Sequence, residues 1–237
     1  MSLPKIMHPV FEILVPSIKT KMKFRQFLVR EEKMLLVAKT SSDENDILAA
    51  VKQVVQNCAE DKTFDVDKLS IFDLEYVFLK LRSLSVNNIV KLSYRDYEDS
   101  KLYDFDINLD EVAITTPDIV ENKIPVAENV GIIMRYPSAA LYSDKKFLST
   151  PSEEAPVDLV IRCIDKVYDA DNVYDAKTFT YDQLLDFVDD LDVKSFEKLT
   201  MFLSSAPKLS YTIKYKNSLG NDRTIELSAL NDFFTLR

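Results

Sequence analysis

One histidine, two cysteines and 39 carboxylates are the side chains of this 237-residue sequence that could do chemistry. A Ser-His-Asp or Cys-His arrangement would have to be built on His8, because there is no other histidine. Its Met7-His8-Pro9 setting carries no motif, so it reads as a surface or packing residue. Cys58 and Cys163 sit far apart in helix-like apolar patterns, which suits buried thiols in a reducing compartment better than a disulfide framework. Structural zinc needs four Cys or His at short spacings, and this chain has three such residues, scattered. Paired carboxylates can do acid/base work or hold hard cations, and Asp165, Asp169, Asp171 and Asp175 come closest to a calcium loop. A register starting at Asp169 puts Tyr174 where that loop needs Gly and Thr180 where it needs Glu. Asp186, Asp189, Asp190 and Asp192 read as the solvated side of an amphipathic helix, and Asp96, Glu98 and Asp99 as a solvated hairpin turn. Only two glycines are present, so the glycine-rich loops that cradle phosphates cannot be written. The residues therefore name no catalytic, cofactor-binding or metal-binding group, and the expectation is a protein that is not an enzyme.

Net charge of −9, from 39 acidic against 30 basic residues, argues against a protein that neutralises phosphates along nucleic acid. One basic stretch with aromatics interleaved, Lys19, Lys21, Lys23 and Arg25 with Phe24 and Phe27, is followed at once by Glu31 and Glu32. A partner protein with an acidic patch, or plain solvation, suits it better than a nucleic acid. No apolar run approaches the roughly 20 residues that span a bilayer, and the N-terminus lacks the pattern of a signal peptide. Cytosol is the default expectation.

The elements that must position these residues follow from periodicity. A hydrophobic content of 46% allows a sizeable core. Val10–Val15 reads as a strand, and residues 21–30 alternate as a strand with a basic face. Glu31 to Lys39 suits a short helix by its charge order, and Ser42-Asp43 looks like the cap of a helix through Ile47, Val51, Val54, Val55 and Cys58. Ser70, Asp73 and the pair Leu69/Leu74 announce a third helix ending near Leu84. A hairpin follows, Ile89 to Tyr94 and Leu102 to Leu109. The pattern loses its period between Thr115 and Val130, which suggests lobes over 1–125 and 126–237. Beyond it come a buried-type strand from Val130 to Tyr136, a helix carrying Leu159 through Val167, a tight turn at 168–175, and a capping box at Thr180 and Gln183. A last helix from Val193 to Leu203 leads into a C-terminal hairpin turning at Gly220, with Ser228 capping a final short helix. Lys91-Leu-Ser-Tyr94 recurs as Lys208-Leu-Ser-Tyr211, each at the start of a hairpin; this is either a duplicated helix-plus-hairpin unit or two hairpins of β-formers that match by chance. The fold class is α+β, short helices packed on antiparallel hairpins.

Three stretches carry a family likeness: Met22 to Ala38, Asp73 to Ser85, and the C-terminal set Tyr215, Asn217, Gly220, Ile225, Leu227, Leu230 and Asp232-Phe233-Phe234. Together they resemble the baseplate hub assembly proteins of contractile-tailed bacteriophages of the T-even type. Some of those proteins carry cysteine pairs in the first hairpin; Ser93, Tyr94, Asp96 and Tyr97 stand there in this chain, so no metal-stapled hairpin is carried over. The resemblance implies a non-enzymatic role in building the central hub of the tail baseplate in the host cell cytoplasm, as an assembly chaperone or as a permanent hub subunit of the virion. Its partners would be other hub or tape-measure proteins. The residues singled out for partner contact are Phe24, Arg25 and Phe27 on the basic strand and Phe233 and Phe234 at the C-terminus.

Overall fold

The computed structural model describes residues 4, 6–40, 44–115 and 121–235. It is an α+β protein that divides into two compact units, Met1–Thr115 with Lys208–Arg237, and Thr116–Pro207. The expected cap at Ser42-Asp43 lies outside the described residues.

In the first unit β1 (Val10–Val15) and β2 (Thr20–Arg25) form an antiparallel hairpin in the register Phe11↔Phe24 and Ile13↔Met22. Ile13, Val15 and Phe24 are buried while Lys21 and Lys23 are exposed, as a period of two requires. The helices α1 (Val29–Thr40) and α2 (Glu44–Cys58) follow, the latter burying Val51, Val54, Val55 and Cys58 on one face. Helix α3 (Ile71–Ser85) buries Phe72, Leu74, Val77, Phe78, Leu79 and Leu81, which spread round most of its circumference and make it the central helix. Ser70 stands at its N-cap but accepts no backbone N–H. Its hydroxyl donates instead to buried Asp73, which also accepts the Ser17 N–H at 2.9 Å and the Ser17 hydroxyl at 2.5 Å and so ties the β1–β2 turn to α3. Next, β3 (Ile89–Arg95) and β4 (Leu102–Asn108) pair as a hairpin, and β5 (Ala113–Ile114) ends this part of the chain.

The second unit is a four-stranded antiparallel sheet with helices over it. Strands β6 (Lys123–Pro125), β7 (Gly131–Met134), β8 (Ile164–Tyr168) and β9 (Val173–Asp175) lie in sequence order, joined by α4 (Lys145–Leu148) and α5 (Ala155–Cys163) between β7 and β8. Helices α6 (Tyr181–Asp189) and α7 (Val193–Ser204) complete the unit. Its core gathers Ile132, Met134, Val160, Ile161, Ile164, Leu199 and Phe202, with Tyr136 stacked on Phe202 at 4.6 Å between centroids. The apolar pattern suggested a helix running on to Val167; it stops at Cys163, because Ile164 to Tyr168 are taken up by pairing with both β7 and β9. A Cβ on Gly131 would fall 2.1 Å from the Tyr168 hydroxyl oxygen, so the glycine is there to let that ring lie across the strand.

After Pro207 the chain returns to the first unit. Strand β10 (Leu209–Lys216) pairs with β11 (Asp222–Leu227) and, through Leu209↔Ile114, with β5. The C-terminal hairpin therefore belongs with the N-terminal elements, and the units part at Thr115 rather than near residue 125. Both Lys-Leu-Ser-Tyr segments start hairpins, in β3 and β10, but the two hairpins share one unit instead of marking two lobes. Gly220 turns the second hairpin at φ +86°. In the final helix α8 (Asp232–Thr235), Asp232 accepts the N–H groups of Ser228 at 2.8 Å and Ala229 at 2.9 Å, so the first residue of the helix holds the turn that leads into it.

Candidate interaction site

Three of the four aromatic residues expected at a partner surface, Phe24, Phe27 and Phe233, are core residues. Phe24 is 1% exposed and meets Phe64 edge-on at 5.6 Å; Phe27 is buried against Phe78 at 5.8 Å. Phe233 is also 1% exposed, while the side chain of Phe234 lies outside the described residues. Arg25 is turned inward as well. Its guanidinium donates to buried Glu31 at 2.8 and 3.2 Å and to the Asn57 carbonyl at 2.9 Å, joining the end of β2 to α1 and α2. Alternation located the apolar face correctly; what covers that face is the chain itself.

The carboxylates read as a solvated turn are also engaged. Asp96 is fully buried and accepts the Tyr215 hydroxyl, the Glu98 N–H at 2.7 Å and Arg223 Nε at 3.1 Å. Burial pushes its carboxyl up, but those donors more than offset the push and hold it below the usual carboxylate range. Glu98 accepts Asn217 at 2.5 Å and Asn221 at 2.7 Å, and Asp99 accepts Tyr103 and both the N–H and hydroxyl of Ser218. Tyr215 lies between the Tyr103 and Phe105 rings at 5.0 and 5.2 Å, and Arg223 lies over Tyr97 at 4.2 Å. The tips of the β3–β4 and β10–β11 hairpins are thus locked by charge-assisted hydrogen bonds. The donors from the β10–β11 hairpin, Tyr215, Asn217, Ser218, Asn221 and Arg223, stand more than 110 residues along the chain from their acceptors, which no local pattern could reveal.

The first unit also carries an open groove of about 290 Å3. One wall is α1, with Leu35, Leu36 and Ala38; the other is β3 from Ile89 to Leu92; Phe233 of α8 lines it as well, and Glu32, Arg82 and Lys91 supply its charges. Leu36 is 57% exposed and Ile89 36% exposed. Of these the sequence singled out only Phe233 for partner contact; the others each fit an ordinary helix or strand pattern. In the second unit an open, polar depression of about 1030 Å3 is lined by Asp144, Glu153, Asp158, Arg162 and Tyr181 among others. Its arginine is committed internally, donating to Asp144 at 2.6 Å and Asp158 at 2.7 Å.

Reactive chemistry finds little to work with among the described residues. Burial pushes the Cys58 thiol up to about 11 and the Cys163 thiol up to about 12, so both stay protonated and unreactive at neutral pH. Among the described residues no group of three or more His, Cys, Asp or Glu is placed to hold a metal ion, and no helix is long and apolar enough to cross a membrane. Asp169, from the nearest approach to a calcium loop, instead accepts the N–H groups of Asp171 and Asn172 and the Tyr174 hydroxyl, and so stabilises the β8–β9 turn.

Helix-lined grooves and open strand edges are two of the features by which proteins take up peptide segments. Neither a curated protein nor a solved structure matches the chain. Residues 8–235, nearly its whole length, match the family described as T4 bacteriophage base plate protein, and the chain belongs to that family.

Proposed function

We propose that this baseplate protein is a non-enzymatic, chaperone-like factor in assembly of the central hub, acting by binding other hub or tape-measure proteins. The observation that carries the reading is the groove of the first unit, an apolar surface left open in a unit whose hairpin tips close their aromatic and charged residues on one another. Exposed apolar surface of this kind is a mark of protein binding. Co-expression with each hub and tape-measure protein of the same phage, followed by pull-down and sizing, tests it; a stable or transient complex is expected, and none with any of them would sink the proposal. Mass spectrometry of purified virions separates this from a permanent hub subunit. A chaperone is absent from the particle, whereas a subunit is present in fixed ratio. A hydrolase working through acidic residues and a divalent ion is the reading this proposal excludes, and titration with Mg2+, Mn2+ and Ca2+ is expected to show no binding heat.

A further inference from the structure

The β3–β4 hairpin is a two-stranded sheet, so each strand has one edge that pairs with nothing in the sheet. Hydrogen-bonded pairs alternate along an antiparallel ladder. The Leu109 N–H donates to the Asn88 carbonyl at 2.7 Å, and the Asp96 N–H to the Lys101 carbonyl at 2.9 Å, so both ends of the ladder fix the same parity. Val90, Leu92 and Tyr94 therefore aim their backbone groups at β4, and Ile89, Lys91 and Ser93 aim theirs away from it. The Ile89 N–H is taken by Asn87 Oδ1 at 3.0 Å. Among the described residues the Ile89 carbonyl and both backbone groups of Lys91 and Ser93 have no protein partner.

The stretch from Ile89 to Leu92 is also the part of β3 that lines the groove. It offers about 13 Å of strand edge at ~3.3 Å per residue, faced by the apolar wall of α1. The opposite strand, β4, carries exposed Asp104 and Asp106; Asp104 accepts the Ser93 hydroxyl across the hairpin at 2.5 Å, and charges on an edge strand such as Asp106 are a device by which sheet edges refuse further strands. The groove-lining stretch of β3, Ile89 to Leu92, carries a single charge, Lys91, whose ammonium has neither ion pair nor hydrogen bond among the described residues.

We propose that this edge is the docking site for an extended, mainly apolar segment of another baseplate protein, which adds to β3 as a third strand and sets an acidic residue against Lys91. The backbone of Lys91 supplies one donor and one acceptor to a single residue of the incoming strand, with the Ile89 carbonyl and the Ser93 N–H on either side. Leu36 and Ile89 then cover its apolar side chains. This inference rests on the assembly reading above, and deepens it by naming the site and the form of the partner segment.

The test uses the full-length chain and the individual baseplate proteins of the same phage. Leu36→Glu puts a charge on the exposed wall, Lys91→Pro removes the outward N–H without touching a ladder bond, and Val37→Glu, on the same helix and 71% exposed but outside the groove, is the control. Leu36→Glu and Lys91→Pro are each expected to weaken the complex at least about tenfold, with Val37→Glu at wild-type affinity. Hydrogen exchange on the wild-type complex is expected to show new protection at the Lys91 and Ser93 amides. Should Lys91→Pro fail to fold, Leu36→Glu and the exchange result decide. A complex that tolerates Leu36→Glu, or leaves those amides unprotected, overturns strand addition while the assembly reading stands. Self-association abolished by Leu36→Glu in the absence of any other protein would put a second copy in the groove and overturn the choice of partner. If the wild type binds no baseplate protein, both readings fall.

Discussion

Glu31 is fully buried yet ionised, and four donors account for that: Arg25 through both terminal nitrogens, Arg30 Nε at 2.8 Å and the Leu28 N–H at 2.9 Å. Burial alone would raise its carboxyl; the Arg25 hydrogen bonds, then those of Arg30 and Leu28, bring it down to about 2. A folded-state value below the ordinary 4.5 means that its contribution is present above that value and is lost as pH falls toward 2. Glu31→Gln should cost about 3 kcal/mol at pH 7, because it strands the Arg25 guanidinium without its charge partner. Urea unfolding of both proteins from pH 7 down to pH 3 checks this, and the gap between them should narrow as the medium becomes more acidic. From the sequence, Arg25 looked like a partner contact and Glu31 like a charge suited to the start of a helix. Both chemical types were legible; their pairing was not, because it depends on how sharply the chain turns between β2 and α1.

Helix α3 carries a half-buried acid, Glu75, with the opposite behaviour. Glu75 accepts the Leu230 N–H at 3.3 Å where the C-terminal segment lies on the helix. Burial, assisted by nearby Asp232 and only partly offset by that hydrogen bond, pushes its carboxyl up to about 7. A raised value favours the protonated, folded form, so this contribution is complete below about 4.5 and is lost as pH rises through about 7. Docking of α8 should weaken by about 2 kcal/mol between pH 5 and pH 8. Hydrogen exchange over residues 229–234 reads this directly; Glu75→Gln should abolish the pH dependence and slow exchange at pH 8. Elements whose signals are local were legible in the sequence. The capping box is there, with the Thr180 N–H donating to Gln183 at 2.9 Å and the Gln183 N–H to Thr180 at 3.3 Å. Elements decided by distant neighbours were not: Ile164 to Val167 continues an apolar helical pattern, and only pairing with β7 makes it a strand. The groove was hidden for the same reason, since a strand edge is open or closed according to what lies beside it.

At the scale of the whole chain, the second unit is an insertion between two strands that pair with each other. β5 leads out of the first unit and β10 leads back, joined by Leu209↔Ile114, by the Thr115 N–H to the Lys208 carbonyl at 2.8 Å, and by the Lys208 N–H to Thr115 Oγ1 at 2.9 Å. Paired Cα atoms in an antiparallel ladder lie about 5 Å apart, so the first unit itself holds together the two ends between which the second is inserted. Such an insertion is replaceable by a short connection, because loop-closure entropy changes only slowly with loop length. A chain in which a Gly/Ser linker of about four residues joins Thr115 to Lys208 should fold, with the stability of the first unit altered by no more than about 1 kcal/mol. Denaturant unfolding measures this, and residues 121–207 expressed alone should give their own cooperative transition over the core of Ile132, Val160 and Phe202. The shortened protein keeps α1, β3 and Phe233, so it should also keep the binding of the parent chain. Loss of the first unit's cooperative unfolding in the shortened protein would show that the second unit is needed to complete the first unit's fold.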